Sequence, residues 1–84
     1  MKAEDIIHIV ESENPRASNI FKFELNTQLP FIGIVARAND YEGLKKSNIW
    51  RLVKDVDIQT WNKTRDLRLT ELIHGKLITS ITTL

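Results

Sequence analysis

Ile20-Phe21-Lys22-Phe23-Glu24-Leu25 and, after the turn Asn26-Thr27-Gln28, Phe31-Ile32-Gly33-Ile34-Val35-Ala36-Arg37-Ala38 are the stretches whose reading decides the fold. In the first, Phe21, Phe23 and Leu25 alternate with Lys22 and Glu24, the period of two that a strand with one buried face requires. The second is apolar enough for a central strand, and Gly33 inside it marks a bend or bulge. Together they predict an antiparallel hairpin.

Upstream, Ala3, Ile6, Ile7 and Val10 recur at helical spacing over Ala3 to Glu13, with Glu4 and Asp5 in the first turn where they complement the helix dipole. Asn14-Pro15 supplies a stop, and Ile9 widens the apolar stripe, so the helix is expected to lie over one end of the strands. Downstream, Asn39 to Asn48 is polar, contains Gly43 and reads as a loop; Ile49 to Val53 reads as a third strand. Residues 55–66 admit two readings: a helical turn capped by Asp55 or Asp57 that puts Ile58 and Trp61 on one side, or a distorted strand edge. Leu67, Leu69 and Ile73 alternate as in a fourth strand, and Leu77 to Thr82 is β-branched enough for a fifth, with Gly75 between. The expected class is mainly β within α+β. Residues 1–84 form a single domain, with a helix over 1–14 and about five short antiparallel strands over 20–84 in a small, closed or nearly closed barrel.

Composition narrows the chemistry. The chain has no cysteine, so disulfides and thiolate metal sites are excluded, and the composition suits a reducing compartment. His8 and His74, the two histidines, lack zinc-site spacing. No apolar run approaches the ~20 residues of a bilayer span. Met1 to Asp5 carries acid where a signal peptide carries an apolar stretch, so the expected location is cytoplasmic, with no membrane partner. Residues 1–42 hold four Lys/Arg against seven Asp/Glu and residues 43–84 hold eight against four, so a basic second half follows an acidic first half. That half either solubilises the chain or meets an anionic partner.

No hydroxyl or carboxylate sits in a catalytic motif. Asp55 with Asp57, and Asp40 with Glu42, read as surface pairs, and the three glycines stand apart rather than forming a phosphate cradle. The expectation is a non-enzymatic protein with no catalytic residue, no metal and no cofactor. Trp50 alternates with Leu52 and reads as core, its indole N–H requiring a partner; the functional alternative makes Trp50 and Trp61 aromatic anchors at a protein interface. Arg51 must point to the opposite face from Trp50.

Ile73-His74-Gly75 followed by Ile78 and Ile81 resembles the second signature of the Sm-like proteins, in which an apolar residue, a basic residue and a glycine lead into a final strand. Phe23-Glu24-Leu25, Gly33, Asn39, Tyr41 and Leu44 resemble the first signature, and a helix before five strands is also that family's order. The resemblance implies a small Sm-like barrel that assembles through strand edges into a homo-oligomer and binds single-stranded RNA. On that reading Tyr41 and His74 stack on a base, Lys76 meets phosphate, and Asn39 stands where the family has an aspartate. The chain departs from the pattern at Glu42-Gly43, where the family has Met-Asn, and at His74, where it has arginine. The base-binding amide is therefore missing. The alternative is a protein-interaction module with an aromatic groove beside Trp50, Trp61 and Tyr41 and no nucleic-acid role.

Overall fold

The structure, a computed structural model, describes residues 1–12 and 19–84. Helix α1 (Ala3–Val10) precedes a hairpin of β1 (Phe21–Leu25) and β2 (Phe31–Val35). Then come α2 (Tyr41–Lys46), β3 (Ile49–Lys54), α3 (Ile58–Thr64), β4 (Glu71–His74) and β5 (Ile78–Thr83). Short 3-10 turns occupy Asp55–Asp57, Leu67–Leu69 and Gly75–Leu77. The helix stop expected at Asn14-Pro15 lies outside the described residues; within them α1 ends at Val10.

All strands pair antiparallel in one sheet of order β4-β3-β2-β1-β5. The fold is α+β as expected, but the closed or nearly closed barrel is corrected to a sheet that stays open, with β4 and β5 as its two edges. Five flat strands would set those edges ~19 Å apart, at about 4.8 Å per gap. Gly75–Leu77 alone joins them, and a link of three residues spans no more than ~14 Å. The sheet therefore curls at that end, but the turn takes the place of a closing ladder.

Register separates the two faces. Phe21, Phe23, Phe31, Trp50, Leu52, Ile73 and Ile78 gather on one, where α1 lays Ile6 and Val10 over them and Tyr41 joins from α2. On the other face Ile34, Ala36 and Val53 meet Trp61 of α3 in a second, smaller cluster. Gly33 is fixed by the crossing of β2 and β3, because a Cβ there would run into the backbone carbonyl of Val53.

Three segments differ from their sequence-based reading. The expected loop at 39–48 contains α2, whose Glu42 lies in the first turn and Lys45 and Lys46 in the last, matching the helix dipole; Gly43 interrupts without ending it. Residues 55–66 resolve as a 3-10 turn and α3, with Ile58 and Trp61 three apart on the buried side. Leu67 and Leu69 are not strand: the Asp66 carboxylate accepts from the Arg68 N–H at 3.0 Å and bends 67–69 into a 3-10 turn, delaying β4 to Glu71.

Candidate functional site

Tyr41 opens α2 and turns inward. Its ring stands edge-on to Trp50 at 6.2 Å between centroids, and its hydroxyl donates to Glu11 Oε2 at 2.6 Å. Lys45, one turn on, donates to the same oxygen at 2.9 Å and lies 3.0 Å from Glu42. The Lys45 ammonium and the Arg37 guanidinium sit 5.1 and 5.3 Å from the Tyr41 ring centroid. The Tyr41 hydroxyl is pushed up to about 12, by burial first and then by its bond to Glu11. Glu11 is held below its ordinary value, chiefly by the Tyr41 hydroxyl and then by Lys45. Tyr41 is thus a buried strut between the end of α1 and α2 rather than a ring presented to solvent.

His74 belongs to a different network, at the β4–β5 junction. Its Nδ1 accepts from the Lys76 backbone N–H at 3.1 Å and caps the turn; the Lys76 side chain is exposed. Beneath the turn, Asn48 adopts the left-handed conformation with φ 57°. Asn48 Oδ1 accepts from the Trp50 indole N–H at 2.8 Å, and Asn48 Nδ2 donates to the Met1 carbonyl at 3.1 Å. The Asn48 carbonyl accepts from Gly75 N–H at 2.7 Å. The Met1 ammonium donates to the Gly75 and Ile78 carbonyls at 2.6 and 2.8 Å. Gly75 has no room for a Cβ, which would meet the Asn48 amide.

Asn39 is exposed and lines an open groove of about 570 Å³ between the β2–α2 connection and α3, with Arg37, Asp40, Trp61, Arg65 and Leu67. A smaller cleft of about 220 Å³ shares Arg37, Trp61 and Arg65 and runs on past Val10 and Phe21. Arg65 takes the left-handed position, φ 53°, that ends α3, which swings its guanidinium back over the Trp61 ring at 5.2 Å. Arg37 anchors through Nη2 to the Val10 carbonyl at 2.9 Å. Neither arginine has a carboxylate within 4 Å among the described residues.

Asp40 does not offset them. It lies 2.5 Å from Arg51 Nη2, which holds its carboxyl below the usual range, and Arg51 also donates to Thr70 Oγ1 at 2.8 Å. As expected, Arg51 points away from Trp50. The groove is therefore cationic at its rim, with the half-exposed Leu67 as its apolar surface over the buried Trp61.

Of the residues singled out in the sequence, Asn39 and Trp61 line the groove, Tyr41 and His74 stand in separate networks, and Lys76 is near His74 alone. Trp50 and Trp61, the candidate interface anchors, keep only 1% and 2% of their surface and stand in the core, Trp50 fixed by its bond to Asn48 and Trp61 by the packing of α3. Arg37 and Arg65 were missed. Arg37 is readable as a charge closing an apolar strand, whereas Arg65 acquires its place only through the left-handed end of α3. Among the described residues no three His, Asp or Glu gather as a metal site, and no helix is long and apolar enough to cross a membrane. Comparison with protein-family models, with curated proteins and with solved structures finds no match to this chain.

Proposed function

We propose that the chain is a non-enzymatic binding module whose groove between the β2–α2 connection and α3 receives an acidic, partly apolar segment of a protein partner. The observation that carries this reading is the pair Arg37 and Arg65, two guanidiniums that line the groove above the buried Trp61 with no carboxylate within 4 Å among the described residues. Asn39 adds an exposed amide to the rim, and Leu67 an apolar contact. Guanidiniums recognise carboxylates in planar, two-bond geometry, and the half-exposed Leu67 favours an aliphatic neighbour.

The Sm-like resemblance supports a second reading, single-stranded RNA, with Asn39, His74 and Lys76 as contacts. The basic second half of the chain favours it. The buried state of Tyr41 weighs against it, because stacking on a base needs an exposed ring.

The test is nuclear magnetic resonance titration with two probes, a peptide alternating glutamate and leucine and an oligouridine. The peptide is expected to shift the amides of Asn39, Arg65 and Leu67, and Arg37→Glu with Arg65→Glu to abolish the shifts in a folded protein. Saturable oligouridine binding centred on Lys76 and His74, with no response to the peptide, transfers the function to RNA.

A further inference from the structure

Among the described residues the outer edge of β5 carries no strand, and its sequence does nothing to blunt it. Ile78-Thr79-Ser80-Ile81-Thr82-Thr83 has no charge and no proline, and all but Ser80 are β-branched. Edge strands are ordinarily guarded by lysine, proline, bulges or shortness. The opposite edge fits that rule: β4 has four residues, begins with Glu71, which accepts from Gln28 at 3.2 Å, and stops at a 3-10 turn. In β5 the register shift against β1 lies at its start, and Ser80 to Thr83 pair regularly with Glu24 to Phe21.

We propose that β5 pairs antiparallel with β5 of a second copy, across a two-fold axis perpendicular to the sheet, so that two five-stranded sheets become one. An uncharged strand has no charge pattern with which to select a foreign partner, whereas it complements itself. Such an axis keeps each face beside its like. Centred on Ile81, it sets the two Ile81 side chains together on the α1 face, where each already packs against the main core. Ser80 of each copy then stands opposite Thr82 of the other on the second face. One strand in on that face, Lys22 and Glu24 neighbour Thr82 and Ser80 and pair with each other at 3.9 Å, so the approaching edges meet without net repulsion. Leu84, 53% exposed just beyond the strand, is carried alongside Ile78 and Thr79 of the second copy. A single strand pair buries less than the ~1,200 Å² of a standard interface, so the dimer is weak and concentration-dependent.

Sedimentation equilibrium on the full chain from low micromolar to millimolar concentration tests the pairing. Mass is expected to rise from the 9.7 kDa of one chain toward twice that value. Ser80→Lys with Thr82→Lys sets lysine against lysine twice across the axis and is expected to weaken association roughly ten-fold or more. Ser80→Lys with Thr82→Glu instead sets lysine against glutamate twice, and is expected to dimerise at least as well as the unsubstituted chain, which also controls for damage to the fold. A chain that stays monomeric at millimolar concentration overturns the proposal. So does a double-lysine variant that dimerises unchanged, or a folded lysine–glutamate variant that does not dimerise.

Discussion

The hydroxyl of Tyr41 and the carboxylate of Glu11 meet at 2.6 Å across a sequence separation of thirty residues, and Lys45 shares the same carboxylate oxygen. Removing the hydroxyl while keeping the ring isolates that bond. Tyr41→Phe is expected to cost about 1.5 kcal/mol, the lower end of the usual net value of a hydrogen bond to a charged group, because Glu11 is partly exposed. Tyr41→Ala also empties a buried aromatic site and is expected to cost about 3 kcal/mol or more. Urea denaturation of the two variants reads both values; a Tyr41→Phe variant as stable as the unsubstituted chain would leave the hydroxyl without a part in stability.

Tyr41 is the chain's single tyrosine, so phenolate absorbance reports on it alone. The absorbance midpoint is expected near 12 rather than 10. Because folding raises this value, the associated stability is whole below pH 10 and is lost as pH climbs from 10 toward about 12. Tyr41→Phe should erase that alkaline limb. A midpoint near 10 in the folded protein would show the hydroxyl to be open to water.

The acid side has the opposite sign. Folding lowers Glu11 from its ordinary 4.5, so the stability tied to it is present above 4.5 and disappears as pH falls below that value through the lower folded one. Asp40, held down by Arg51, and Asp66, held down by Arg68, add to the loss below 3.8. Glu11→Gln is expected to reduce stability at neutral pH and to flatten its decline between neutral pH and that acid range. Thermal midpoints measured across this range in both proteins give the comparison, and parallel curves would refute the assignment.

Two glycines should respond differently to alanine. At Gly33 the added carbon meets the Val53 carbonyl in the β2–β3 ladder, which cannot yield without breaking the sheet, and Gly33→Ala is expected to prevent stable folding. At Gly75 it meets the side chain of Asn48, which can be removed. Asn48→Gly keeps the left-handed backbone accessible but leaves the Trp50 N–H unpaired, at about 1–3 kcal/mol. The double substitution is expected to cost less than the sum of the two, because the second relieves the clash made by the first. Additive losses in a double-mutant cycle would show that Gly75 and Asn48 do not oppose one another.

The strands that face one core were legible because their period is two and their apolar residues are large: Phe21, Phe23, Trp50 and Leu52 all lie where alternation places them. The short helices were not. Over six or seven residues a helix presents one apolar contact per turn, and in α2 the polar Glu42, Lys45 and Lys46 and the glycine outnumber Tyr41 and Leu44. The openness of the sheet was also hidden, since the same strand lengths serve a barrel and a curled sheet, and the difference lies in whether β4 and β5 share a ladder. Of the candidate groove, Trp61 and Asn39 could be named in advance. Arg37 could be seen only as a charge closing an apolar strand and Arg65 not at all, because what sets the two apart from Arg51 and Arg68 is that no carboxylate lies within 4 Å among the described residues, a property of space rather than of sequence.

The position of β1 between β2 and β5 sets an order of events in time. The β1–β2 hairpin needs only the short turn between Leu25 and Phe31, so it can zip as soon as both strands have left the ribosome. The other side of β1 waits for Ile78 to Thr83, more than fifty residues further along the chain. A loop roughly ten times longer costs about 2 kcal/mol more to close, an entropy the late strand must recover on docking. Until β5 has been made, then, the nascent chain exposes the free side of β1 in its own hairpin. Refolding should accordingly show a fast local phase followed by a slower one that tracks the arrival of β5.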